Sequence, residues 1–310
     1  MPNAAPDTLA SAQVPPPGAL NLDHVAHFVP DSDAAAAALV RLGFTLTPFS
    51  AQSHRLQPEG PLVPAGSGNR CVMLERGYLE FLTPTADTPV AAQLRAAIAR
   101  CVGVHLVALG TAAPEADHAR LDAAGFAPLA PVALQRQIGT PGGEDTARFT
   151  VVRVPPGTMA EGRIQFCRQH TPHLLWQSRW TEHANAARSL DAVFLCVENV
   201  AEAAARYARY TGLAARPDGM AARLDTARGA LHIVDRASCA RVLGAAPPVM
   251  PWIAGYALGS ADLAATRRAL TASGAAVRHG PDGRLLVDAP AAVGGVIAFA
   301  ADGLPPLSFA

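Results

Sequence analysis

The feature that most constrains this chain is a pattern repeated four times between Asn21 and Phe299. Each unit opens on a short apolar run of strand character: Leu22 to Val29, Val104 to Leu109, Leu190 to Val197 and Ile253 to Leu258. An Ala-rich helical segment follows and stops at a Gly, the residue favoured just past a helix end. These segments are Asp33 to Gly43, Glu115 to Gly125, Val200 to Gly212 and Ala261 to Gly274. Each unit closes on strand-like runs, the last starting at Gly77, Gly162, Gly229 or Gly295. Recurrence every ~65 to 85 residues predicts an α+β fold of four βαβββ modules. The stretch His170 to Ser189, with Trp176 and Trp180, reads as a crossing between two module pairs. The predicted domains are residues 19–183 and 184–310. The Pro, Ala and small polar residues of 1–18 predict a disordered tail.

Composition removes several chemistries. The chain has 310 residues with 25 basic and 25 acidic side chains, and every basic one is Arg. Without Lys there is no Schiff-base enzymology and no phosphate-binding P-loop. A formal net charge of zero lacks the basic field of a general nucleic-acid binder. Five scattered Cys without a C-x-x-C pair argue against disulfides or a zinc knuckle, and for a reducing compartment. No apolar stretch reaches the length of a membrane span, and the N-terminal region lacks the apolar core of a secretory signal. The expectation is a cytoplasmic protein acting on a small molecule, with neither nucleic acid nor membrane as partner.

The repeat lets each unit control for the others. Counting back 20 residues from the helix-ending Gly (19 in the first unit) lands on His24, His105, Ala192 and Ala254. The variable position of the closing strand holds Glu80, Gln165, His232 and Ala298. Taken singly, a strand His is more often a hydrogen-bonded core residue than a ligand. Four polar residues at equivalent positions of otherwise apolar strands, where an unpaired one is costly, point instead to a shared site. Glu80 lies between Leu79 and Phe81, so alternation turns it to the face opposite both. Two imidazoles, a carboxylate and a weaker Gln oxygen suit a divalent ion: Zn, Ni, Mn, Co or Fe. The Ala residues of the last two units mark a degenerate second domain. His27, three residues beyond His24, faces the other way and reads as structural.

Several segments resemble the vicinal oxygen chelate superfamily, and within it the glyoxalase-like domain proteins. They are Leu22-Asp23-His24-Val25, Leu42-Gly43-Phe44, Gly66-Ser67-Gly68-Asn69-Arg70, Gly77-Tyr78-Leu79-Glu80-Phe81, and Phe166 to Pro172 followed by Leu175-Trp176. The resemblance implies paired βαβββ modules forming cupped mixed sheets around a divalent metal. It maps the metal ligands onto His24, Glu80, His105 and Gln165. Gln165 stands where glyoxalase I usually has a Glu base, which leaves Glu80 or His170 to carry the proton. His54, Asn69, Arg70 and Trp176 are the candidate substrate-binding residues. Three readings follow: a metal-dependent lyase or isomerase on a carbonyl or vicinal-oxygen substrate; an extradiol-type iron dioxygenase; and a metal-free small-molecule binding or resistance protein. A homodimer is compatible with each.

Overall fold

The computed structural model describes residues 6–55 and 60–310, with the side chains of residues 6–8, 54 and 55 outside the description. After α1 (Pro6–Ser11) come β1 (Leu20–Phe28), α2 (Ser32–Arg41), β2 (Ser50–Arg55), β3 (Leu62–Met73) and β4 (Tyr78–Pro84). Helix α3 (Pro89–Arg100) leads to β5 (Gly103–Thr111), α4 (Pro114–Ala123), β6 (Val132–Thr140), β7 (Gly143–Arg153) and β8 (Arg163–Gln169). Two short helices, α5 (Pro172–Leu175) and α6 (Ser178–Thr181), cross to β9 (Ala187–Cys196) and α7 (Val200–Thr211). Then follow β10 (Ala215–Asp218), β11 (Ala221–Asp225), β12 (Ala230–Val234) and α8 (Arg236–Leu243). Last come β13 (Trp252–Ser260), α9 (Leu263–Ala272), β14 (Val277–His279), β15 (Leu285–Asp288) and β16 (Val296–Ala301).

The strands form one curled mixed sheet, so the fold is α+β as expected. Its first half runs β1-β4-β3-β2-β6-β7-β8-β5, and β5 pairs back onto β1 antiparallel. Eight strands thus close into a ring, which leaves no free edge there. The second half, β10-β11-β12-β9-β13-β16-β15-β14, stays open. The two halves join where Ile253 of β13 pairs with Val104 of β5.

The helices end as the sequence predicts. Asn199 caps α7, accepting from the Glu202 N–H at 3.0 Å, and Gly212 terminates it at φ 74, a left-handed conformation favourable to Gly. Alternation then divides the buried residues. Leu79 and Phe81 of β4 pack outward with Leu39 of α2 and Leu190 and Leu231 of the second half, in the largest apolar core. Burying one such Leu contributes about 1.5–3 kcal/mol. Ala26, Phe28, Leu82, Leu106, Ala108 and Val151 line the inside of the ring. His27 faces the outer core, within hydrogen-bond reach of the Val293 carbonyl (2.9 Å) and the Tyr256 hydroxyl (3.2 Å).

The tail expectation needs correcting for residues 6–18; residues 1–5 lie outside the description. Helix α1 packs on α5, and Leu9 is buried. The buried Gln13 amide donates to the Leu9 and Glu75 carbonyls (2.7 and 2.8 Å) and accepts from the Gly77 N–H (3.2 Å). A polar side chain satisfied on both ends is what fixes this low-complexity stretch.

Candidate functional site

The ring encloses a cavity of about 650 Å³. His24, Glu80, His105 and Gln165 all line it, and so does Asn69. The other candidates lie elsewhere. Arg70 pairs with Asp33 at 2.9 Å on the outer side, and the exposed His170 meets the Thr150 hydroxyl at 2.8 Å. Trp176 is fully buried in a core cluster, its indole N–H on the Leu74 carbonyl at 3.0 Å. It touches the cavity only indirectly, edge-on against Tyr78. The His54 call falls outside the described residues' side chains.

At the centre is a pair. His24 Nε2 and Glu80 Oε2 are 3.9 Å apart, both side chains buried. Behind His24, Nδ1–H donates to Asp23 Oδ2 at 2.7 Å, because a carboxylate can only accept. Consecutive strand residues normally point to opposite faces. A β-bulge between Leu22 and His24 in the β1–β5 pairing lets Asp23 reach its neighbour's ring. Gln169 also donates to Asp23 Oδ2, at 3.0 Å. With Nδ1 engaged, His24 presents Nε2 to the cavity, its ring stacked on Tyr78 at 4.3 Å. Glu80 is held from the other side: Asn69 Nδ2 makes a short hydrogen bond to Oε1, and Gln52 Nε2 donates to the same oxygen at 3.3 Å. Arg136 Nη1 fixes the Asn69 carbonyl oxygen at 2.8 Å. Asn69, expected to grip substrate, instead orients Glu80.

The four expected metal ligands do not form one donor set. His105 Nε2–H donates to the Cys101 carbonyl at 2.8 Å, and its ring stacks on Phe28. Burial pushes its pKa down, which favours the neutral form. Strand register gives the reason. Glu80 pairs with Ala26 and Gln165 with Ala108, so two residues earlier stand His24 and Leu106. His105 is the extra residue of a second bulge, where Ala26 pairs with Leu106 and His27 with Val104. Among the described residues, no three His, Cys, Asp or Glu side chains gather closely enough to hold an ion. Catalytic zinc sites use three protein ligands; His24 and Glu80 supply two. The donor set does not fit a three-ligand centre.

Arginines line the opposite wall: Arg153 of β7, Arg163 of β8 and Arg100 of α3, with Arg136 of β6 between the walls. Arg163 lies over Phe28 and donates to Gln93 at 3.1 Å. Its pKa is pulled down to about 10 by burial first and Arg153 second, with Glu80 opposing. Sequence reasoning missed this wall. The signal was present in Arg163-Ile164-Gln165, where period-two alternation puts Arg163 on the face of Gln165.

At the matching positions the second half packs apolar side chains together. Ala192, Ala254 and Ala298 join an apolar cluster completed by Leu307 and Phe309 of the last segment. His232 lies buried against Phe309 with neither ring nitrogen hydrogen-bonded and Asp218 Oδ2 3.9 Å from Nδ1, its pKa lowered by burial to about 4.

The sequence profile of the glyoxalase-like domain matches residues 22–236, more than half of the chain. No curated protein matches by sequence. Many solved structures are similar, three of them as follows. A hypothetical protein from Staphylococcus aureus superposes with a TM-score of 0.61 at 12% identity, covering 91% of this chain and 99% of that one. A triple mutant of 4-hydroxymandelate synthase from Streptomyces coelicolor gives 0.58 at 13%, covering 94% and 95%. A xylose isomerase-like TIM barrel/4-hydroxyphenylpyruvate dioxygenase fusion protein gives 0.54 at 14%, covering 94% of this chain and 51% of that one. At these identities the likeness concerns the fold alone. No helix among the described residues is long and apolar enough to cross a membrane.

Proposed function

We propose, from the premise that this chain belongs to the glyoxalase-like domain family of the vicinal oxygen chelate superfamily, that it is an isomerase or lyase moving protons on a small carbonyl substrate. The observation that carries this reading is the His24–Glu80 pair, 3.9 Å apart over the cavity and braced from behind by Asp23 and Asn69. On a 2-hydroxycarbonyl compound, Glu80 Oε2 takes the proton from the hydroxyl-bearing carbon. The C–H electron pair moves into the adjacent carbonyl, giving an enediolate. His24 Nε2 carries the hydroxyl proton to the newly formed oxyanion, and Glu80 returns its proton to the neighbouring carbon. The change is redox-neutral and needs no co-reactant. A positioned base contributes about 10²–10⁴-fold to such a step.

Superfamily members commonly bind a divalent metal, and the metal-dependent form of this reading would use Zn, Ni, Mn, Co or Fe. Here His24 and Glu80 offer two donors, so the proton transfer is assigned to the pair itself. The ring-cleaving iron dioxygenase reading has the same shortfall of ligands. The binder reading keeps the cavity and discards the chemistry.

The test is deuterium incorporation at carbon, followed by NMR in D₂O, over a panel of small 2-hydroxycarbonyl compounds and hemithioacetals. Exchange is expected to persist in EDTA and to fall about 10³-fold in Glu80→Gln with thermal stability preserved. No exchange on any panel member supports the binder. Exchange lost in EDTA and restored by one of the five metals overturns the metal-free assignment.

A further inference from the structure

The arginine wall faces the pair across the ring. From Glu80 on β4, the register passes to Ala26 on β1, Leu106 on β5 and Arg163 on β8. From His24 on β1, it passes to Ala108 on β5, Gln165 on β8 and Arg153 on β7. Both paths cross three strand spacings, or about 14 Å along the sheet. In a closed ring of eight strands, three steps is nearly the full diameter. Inward-reaching side chains shorten the remaining gap to the length of a small molecule.

The two guanidiniums are also out of electrostatic balance. Among the described residues, no carboxylate oxygen comes within 4.0 Å of Arg153 or Arg163, or of their neighbours Arg100 and Arg136. Arg153 Nε is buried and unpartnered. Arg163 has one neutral partner, Gln93. Two half-buried like charges on adjacent strands destabilise each other unless an anion sits between them. Four arginines against Glu80 leave the cavity with an excess of positive charge.

We propose that Arg153 and Arg163 form a clamp for the carboxylate of a small oxo- or hydroxy-acid, whose far end then lies against Glu80 and His24. The forked guanidinium matches a carboxylate in two parallel hydrogen bonds. The clamp stands on the arginine geometry; the placement of the reacting carbon rests on the proton-transfer reading above. The substrate is thereby an acid, and Arg70 does not hold it.

Calorimetric titration with 2-oxobutyrate, lactate and benzoate, each compared with its methyl ester and primary amide, tests this. At least one acid is expected to bind 30-fold or more tighter than its neutral analogues. Arg153→Gln and Arg163→Gln should each weaken that acid at least 10-fold and leave ester affinity unchanged. Arg163→Lys should recover part of the loss. Thermal stability supplies the structural control: removing one of two uncompensated charges should leave the melting temperature unchanged or raise it. Equal binding of acid and ester, or acid affinity unchanged in both Gln variants, overturns the clamp. Inorganic phosphate binding more tightly than every acid overturns the substrate class. The two readings come apart in the wild type: acid binding present with exchange absent defeats the proton-transfer reading alone.

Discussion

Asp23 shows how one residue can matter without touching substrate. Its carboxylate engages Nδ1 and turns Nε2 of His24 to the cavity, so Asp23→Asn should lower the maximal exchange rate about 10–100-fold. The KM for the acid should stay within threefold, since the carboxylate end is held three strands away. A rise in KM with unchanged turnover would assign Asp23 to binding instead. His105 makes the opposite case. Lying in a bulge and bonded to a backbone carbonyl, it should tolerate His105→Gln with exchange reduced less than fivefold. The inward face of Glu80 was legible because side chains alternate strictly along an unbulged strand. His105 lines the cavity but stands one residue out of step with His24, because a bulge shifts the count by one, and repeat spacing in the sequence does not reveal where it falls. Asp23 escaped notice because alternation assigns it to the wrong face.

Among the elements, α3 was absent from the repeat pattern, yet it roofs the cavity with Val90, Gln93, Ala97 and Arg100. Its start was marked by Thr88 before Pro89. The Thr88 hydroxyl caps the helix by accepting from the Ala91 N–H at 3.1 Å, and it donates to the Ala65 carbonyl of β3 at 2.7 Å. Thr88→Ala should cost about 1 kcal/mol of stability, read as a lower denaturation midpoint. It should also weaken ligand binding, because the lost hydroxyl joins the roof to the wall. The opening strands β1, β5, β9 and β13 were readable as apolar runs, because they are buried on both faces along nearly their whole length. β6 and β7 were harder: Gln135, Arg136 and Arg148 interrupt the apolar pattern, and β7 ends on Arg153 of the arginine wall.

At the scale of the molecule, three histidines tie regions together: buried His27 between the ring and β13, half-buried His183 between the crossing segment and Met73, and buried His232 under Phe309. Burial pushes the pKa of each down to about 4, from an ordinary value of 6.5. The unfolded chain therefore binds more protons than the folded one between those values. Their contribution is complete above pH 6.5 and is lost progressively as pH falls toward 4, by up to about 3 kcal/mol each. Urea midpoints measured from pH 7 to 4 should fall steeply in this window. A flat profile would mean that the rings gain hydrogen bonds on protonation. The last segment raises a separate point. Arg241 Nη2 donates to the Phe309 carbonyl at 2.6 Å and the Phe309 N–H donates to Asp218 at 3.0 Å, seating Phe309 inside the second half. Phe309→Ala should destabilise by about 3–5 kcal/mol. A tethered occupant has an effective concentration in the millimolar range, set by the chain and independent of dilution. A free metabolite would have to exceed that concentration, or bind far more tightly, to displace it. The two halves thus differ in what fills them: the ring keeps a cavity, whereas the contents of the open half are written into the polypeptide.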